Sequence, residues 1–392
     1  VNLADGVVSE IYREPSPKPW GPGVGAANVN PVDGSVSFIR GLSSAIVDRS
    51  YDLCRRGGAC SRLTESNASI WIDSRDVIPP FTPGALRGGT HRHEWSNDGQ
   101  WIGFTYNDAI LAEMEERTGR KLDLRTVGVA TAIKNDQPLV PEGKENHQGE
   151  WFSVVAVRVV PEPQPGSDEI SRAFEDGWVG DSGYRKSDGS WQKRARAFLG
   201  NIRTKGGQEH TEVFIVDLPD QIDVPSEEGP LEGTIDTMPS PPFGTVQRRL
   251  TFTEDRAFPG VSLVPRHWVR SSRDGEWIVF LAKDDDGIVQ ANIVSPRGGP
   301  IRQVTRQATP IQSSVRWSPD GRRVLYVCGN AVTVCDALPD SVSFGQSNTL
   351  TSPTREVPES PVWSRNGKTI AFNRQVVATD GVWYKQIFLI HL

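Results

Sequence analysis

Methionine is nearly missing from this chain, at two of 392 residues, and stretches with helical periodicity are almost as scarce. That argues against a helical bundle. No apolar run approaches the ~18 residues needed to cross a bilayer as a helix, so membrane insertion is not expected. Basic residues are not in excess either: 43 Lys and Arg against 49 Asp and Glu leave a net charge of −6, with no basic face for nucleic acid. Only four cysteines occur, none in a CxxC spacing. What is plentiful is glycine (38), proline (29) and tryptophan (12). Together these predict an all-β protein of many short strands joined by tight turns.

A turn of the form (W/S)-S-x-(D/N)-G followed by a strand recurs along the chain. It closes at Gly99 in WSNDGQWIGF, Gly275 in SSRDGEWIVF, Gly321 in WSPDGRRVLYV and Gly367 in WSRNGKTIAF, with a weaker copy at Gly34 in NPVDGSVSFI. The last three are evenly spaced at the length of one four-stranded blade, which is the period of a β-propeller. Two further starts, at Gly149 in GEWFSVVAVRVV and Gly189 in SDGSWQKRARAFLGNIR, bring the expected count to seven four-stranded antiparallel blades. Six is the alternative, if the second start is only an inserted loop. The stretch SDEISRAFEDGW reads as helix-like, and the proline-rich 217–246 region as an insertion. The whole chain, 1–392, is expected to form one domain, closed by the N-terminal strand 7–12 joining the last blade and so removing two open edges.

The cysteines form two local pairs, Cys54 with Cys60 and Cys328 with Cys335, the second flanking a Gly-Asn turn. The expectation is two disulfides and therefore an exported protein, periplasmic or secreted. No signal peptide opens the sequence, so the chain is read as already processed. Four buried free thiols are the plainer alternative.

Counting back from each turn glycine, the eighth position holds Ala26, His91, His267, Ser313 and Glu359. Two blades thus place imidazole at one level, near the start of an inner strand, where propellers commonly bind ligands. Neighbouring registers add His93, Glu94, Arg92, Arg266, Arg270 and Trp268. His91, His93 and His267 are expected to converge at a channel mouth, and if a divalent metal is present these three supply its ligands. No cofactor is otherwise called for. Tyr106 in FTYND and Tyr184 in DSGYRKSDG are the phenols placed to act as acid or base, while His147, His210 and His391 read as structural. The plainer reading of the mouth is ordinary hydrogen bonding and ion pairing that holds the inner strands together.

The repeat turns resemble those of the TolB-type, WD-like β-propeller. Over nearly the whole chain GGTHRHEWS, FTYND, PGSDEI, EDGWVG, QRRLTFT, PRHWVRSS and DDDGIVQ are also similar to a bacterial family of TolB-like propellers with no assigned function. Distantly similar by repeat type are the propeller polysaccharide lyases that act on oligogalacturonate and ulvan. That resemblance implies β-elimination on a uronic-acid polysaccharide. An arginine (Arg92, Arg266 or Arg270) neutralises the substrate carboxylate, histidine removes the C5 proton, and tyrosine or a second histidine protonates the leaving oxygen. Trp268 is the expected sugar-stacking surface. The expected partner is then an acidic polysaccharide or oligosaccharide. The alternative is a non-catalytic TolB-like binding or scaffold propeller of the cell envelope.

Overall fold

A computed structural model describes residues 9–62, 68–132, 139–379 and 381–392. They are built around six blade-type antiparallel sheets. The first is made of Val24–Val29, Val36–Gly41, Arg56–Ser61 and Ile70–Trp71; the second of Gly88–Trp95, Trp101–Asp108, Thr126–Thr131 and Phe152–Val155. Ile170–Trp178, Ala195–Arg203, Glu209–Asp217 and Val246–Arg249 make the third. The fourth runs from Arg270 to Gln303 and the fifth from Arg316 to Thr349, and the sixth holds Glu359–Trp363, Thr369–Val377 and Trp383–His391. Helix α1 (Ala109–Thr118) is inserted between the second and third strands of the second sheet.

The expected seventh blade is therefore corrected to six. Phe152–Val155, after Gly149, is the outermost strand of the second sheet rather than the start of another. Gly189 turns a two-stranded hairpin, Tyr184–Arg185 with Trp191–Gln192, inserted within the third sheet. The helix-like SDEISRAFEDGW is mostly the strand Ile170–Trp178.

The recurring turn has one physical basis. Ser96 Oγ donates to Asp98, Asp98 Oδ1 accepts from Gln100 N–H at 3.1 Å, and Ser96 Oγ accepts from Trp101 N–H at 2.9 Å. Matching bonds reach Trp277, Arg323 and Thr369 in the fourth, fifth and sixth sheets. The glycines at these turns have φ between +68° and +73°, a left-handed conformation that carries no Cβ penalty in glycine.

The chain divides into two compact units. The first comprises Val1–Glu162, Ser171–Phe174 and Leu218–Val246; the second Pro163–Ile170, Glu175–Asp217 and Gln247–Leu392. In the first, Cys60, Ile72, Leu86, Trp95, Ile102 and Phe104 pack into a core between neighbouring sheets. In the second, Leu281, Ile293, Val315, Val324 and Tyr326 do the same for the fourth and fifth sheets. Of the segment 7–12, residues 7 and 8 lie outside the described residues; 9–12 form no strand, and Tyr12 stacks on Phe38 at 4.9 Å. No helix among the described residues is long and apolar enough to cross a membrane.

All four cysteines are free, which corrects the expected disulfides. The two-residue turn at Gly329-Asn330 pairs Cys328 with Ala331, so Cys335 lies opposite Val324. Four residues of strand separate the thiols, roughly 13 Å, where a disulfide needs Cα atoms within ~7 Å. Cys54 and Cys60 are likewise kept apart by the extended strand Arg56–Ser61. Cys60, Cys328 and Cys335 are buried and pack as small apolar side chains. Free thiols give no indication of export.

Candidate functional site

In the second unit, His267 is 2% exposed and both ring nitrogens are occupied. Nδ1–H donates to the Pro265 carbonyl at 3.2 Å, and Nε2 accepts the Leu281 N–H at 3.1 Å. Burial lowers its pKa to about 4, so the ring is neutral at physiological pH. The same register position in the fifth sheet does the same work without an imidazole: Ser313 Oγ accepts Val327 N–H at 2.9 Å, the same fourteen residues on. In the second sheet the position is His91, which pairs with Thr105 within the backbone ladder itself. The register position that repeats along the sequence is thus where the inner strand meets the second strand. In the fourth and fifth sheets a side chain replaces the missing backbone acceptor.

A β-bulge between His91 and Glu94, with Arg92 at φ +58°, breaks the alternation expected of the H-x-H pair. His91 Nδ1 lies 3.3 Å from Arg125, itself held by Thr105. Arg92 pairs with Glu94 at 3.8 Å. His93 is fully buried. Its Nε2–H donates to Thr90 Oγ1 at 2.9 Å, Thr90 donates to Asp73 Oδ2 at 3.1 Å, and Asp73 Oδ1 accepts Gly58 N–H at 2.7 Å. Burial first, and Arg56 second, lower the His93 pKa to about 3, while burial raises Asp73 to about 6. A Cβ on Gly58 would stand 2.4 Å from His93 Nε2, so the Gly57-Gly58 pair is what admits this cluster beneath the strand.

The two phenols are buried as well. Tyr106 donates to Asp108 Oδ2 at 2.9 Å, the oxygen that Arg87 Nε also reaches at 2.7 Å; burial and Asp108 push its pKa well up. Asp108 Oδ1 caps α1 through Leu111 N–H. Tyr184, read from sequence as part of a loop, is 1% exposed. It donates to Asp217 at 2.8 Å and accepts from Arg248, and burial pushes its pKa up. In the second unit Arg266 is bound to Glu175 at 2.7 Å and lies over the Trp268 ring at 4.9 Å, and the Arg270 carbonyl accepts from Trp317. No cluster of three or more potential metal ligands occurs among the described residues.

Sequence reasoning missed a pocket of about 640 Å³ in the first unit. One wall is the α1 stripe Ala109, Ala112, Glu113 and Glu116; the opposite wall is the loop from Asp48 to Arg55, with Arg75 and Glu145 also lining it. Glu145 is bound by Arg55, by Arg49 at 3.4 Å and by Arg75 at 3.6 Å. Cys54 lines the pocket too, but burial, then the neighbouring Asp123, push its thiol pKa up, which makes it a poor nucleophile. The signal available in sequence was the helix itself: NDAILAEMEERTG carries an Asp cap and a left-handed Gly119 stop.

Uncharacterized protein YidR of Escherichia coli (strain K12) is 38% identical over 376 residues, 95% of this chain and 84% of the relative. A family model described as "Protein of unknown function (DUF3748)" matches residues 23–151. The chain belongs to this family. The matched stretch contains every residue that lines the pocket. Among solved structures, the putative TolB from Agrobacterium tumefaciens is 14% identical, with a TM-score of 0.40, covering 94% of this chain and 91% of that one. TolB from Acinetobacter baumannii is 15% identical with a TM-score of 0.36, covering 86% of this chain, which spans 60% of that protein's length.

Proposed function

We propose that the protein is a non-catalytic binding propeller rather than a polysaccharide lyase. The observation that carries this reading is the state of the groups that proton transfer would need. A general base must present a ring nitrogen to substrate and titrate near the working pH. His267 has both nitrogens bound to backbone, and His93 is sealed against Thr90 and Asp73, with pKa values of about 4 and about 3. Tyr106 and Tyr184 are each committed to a carboxylate.

The first-unit pocket supports the same reading. It falls within the ~300–1,000 Å³ typical of ligand sites, and neither histidine nor tyrosine lines it. Its charge also disfavours an acidic glycan, since five carboxylates (Asp48, Asp52, Glu113, Glu116, Glu145) outnumber three guanidinium groups (Arg49, Arg55, Arg75). The test is incubation with a panel of uronic-acid polysaccharides, following the ultraviolet absorbance of the unsaturated product. No rise above a heat-inactivated control is expected. A rise that His267→Ala or His93→Ala abolishes, in protein that stays folded, contradicts the reading.

A further inference from the structure

The hairpin of Tyr184–Arg185 and Trp191–Gln192 is inserted between the first two strands of the third sheet, where the other five sheets have only short turns. The sheets themselves do not need it, yet it is firmly held within the second unit. Tyr184 is buried against Asp217, the Asp181 N–H donates to the Arg273 carbonyl at 2.7 Å, and Arg297 Nη1 donates to the Arg185 carbonyl at 3.1 Å. A Cβ on Gly183 would collide with the Gln192 carbonyl, so the base of the hairpin closes tightly. Trp191 on this anchored hairpin is nevertheless 52% exposed, its Nε1–H fixed on the Ser182 carbonyl at 2.8 Å. An indole held in one orientation and left in water loses little further freedom when a ligand stacks on it.

Strand alternation decides what stands beside the indole. Arg185 is the cross-strand partner of Trp191, so the two side chains share a face, with Cβ atoms ~5 Å apart. Tyr184 is turned inward, and Lys193, two residues on from Trp191, is exposed as well. Asp188, in the turn, accepts the N–H and the hydroxyl of Ser190. From 184 to 194, four cations (Arg185, Lys186, Lys193, Arg194) stand against that one carboxylate, in a chain whose net charge is −6.

We propose that this face binds an acidic oligosaccharide, one sugar ring lying on the Trp191 indole and its carboxylate or sulfate meeting Arg185 and Lys193. The proposal rests on the binding reading above and adds a site in the second unit. The surroundings choose between polyanions. A membrane surface takes up apolar side chains, and the tip of the hairpin is Ser187, Asp188, Gly189 and Ser190. A protein partner buries an apolar centre ringed by polar groups, whereas here a single aromatic stands among cations. A sugar acid joins a flat face of C–H groups to an anionic group on the same ring, which is the pattern that the indole and the guanidinium complement.

The experiment is calorimetric titration of the intact protein with two acidic hexasaccharides, one carboxylated (hexagalacturonate) and one sulfated, beside a neutral hexasaccharide and hexaglutamate. At least one acidic sugar is expected to bind, with affinity that falls as salt rises. Trp191→Ala and, separately, Arg185→Glu/Lys193→Glu are expected to lose roughly tenfold or more in affinity with an unchanged melting temperature, and Trp191→Phe to keep part of it. Binding of neither acidic sugar overturns the proposal. Hexaglutamate or the neutral sugar binding as tightly also overturns it, because charge or ring alone would then suffice. Binding that both variants leave intact overturns this site while the binding reading stands. A rise in the ultraviolet absorbance of unsaturated sugar during the titration overturns the binding reading itself, whatever the variants do.

Discussion

At the scale of single residues, His267 and Ser313 are equivalents. Each takes a backbone N–H of the adjacent strand through a side-chain acceptor, at Leu281 and Val327 respectively. Replacing either by alanine leaves a buried N–H unpaired, a loss of about 1–3 kcal/mol. Both alanine variants should melt at lower temperature in calorimetry, and His267→Asn, which keeps an acceptor, should recover part of the loss. Equal stability of His267→Ala and the parent would remove the structural role assigned here. The sequence register that singled out His91 and His267 was real, but it marked this strand junction. Residue type alone does not distinguish an imidazole that accepts from backbone from one that accepts from substrate.

Among the elements, the S-x-D-G turns were legible because their chemistry is local: a serine, a carboxylate and a left-handed glycine within five residues. The blade count was not, and Gly189 shows why. Asp188 accepts from Ser190 N–H at 2.8 Å in the same local manner, yet the strands it joins are two residues long and belong to an inserted hairpin. The pairing across the turn is equally short at Gly275 and Gly321; what separates the cases is that there the strand after the turn goes on to pair with a third strand, and that depends on distant partners. The thiols failed for a related reason: residues close in sequence to a turn face each other only in one register, and Cys328 faces Ala331. The turn glycines give a graded test. Gly99→Ala meets Asn30 Oδ1 at 2.5 Å as well as an unfavourable φ of +68°, whereas Gly321→Ala, at +69°, has nothing within 4 Å. Thermal unfolding should show a loss of about 1–2 kcal/mol for Gly321→Ala, the left-handed penalty alone, and a larger loss for Gly99→Ala.

For the whole molecule, pH dependence follows from its buried imidazoles. His93, His147 and His267 have pKa values lowered by burial to about 3, 3 and 4. The unfolded chain therefore binds more protons than the folded one below about pH 6.5, so the stability these groups contribute is complete above that pH and is lost as pH falls toward 4. Asp73, raised to about 6, acts in the opposite sense, its contribution being full at low pH and lost as pH rises through 6. Asp123, also raised by burial, adds to Asp73, and three imidazoles against two carboxyls predict a melting temperature that falls from pH 6.5 to 4.5, with a shallower fall in His267→Gln. The reading of the molecule as a binding protein depends on these rings being framework groups. Histidine-selective nitrogen NMR across pH 7.5 to 5.5, which brackets the point where an ordinary histidine gains its proton, tests that most directly. The account predicts that His267 stays neutral with its proton on Nδ1, and His93 neutral with its proton on Nε2, throughout that range. A His93 or His267 resonance that titrates near pH 6.5 would show an accessible acid–base group and contradict it.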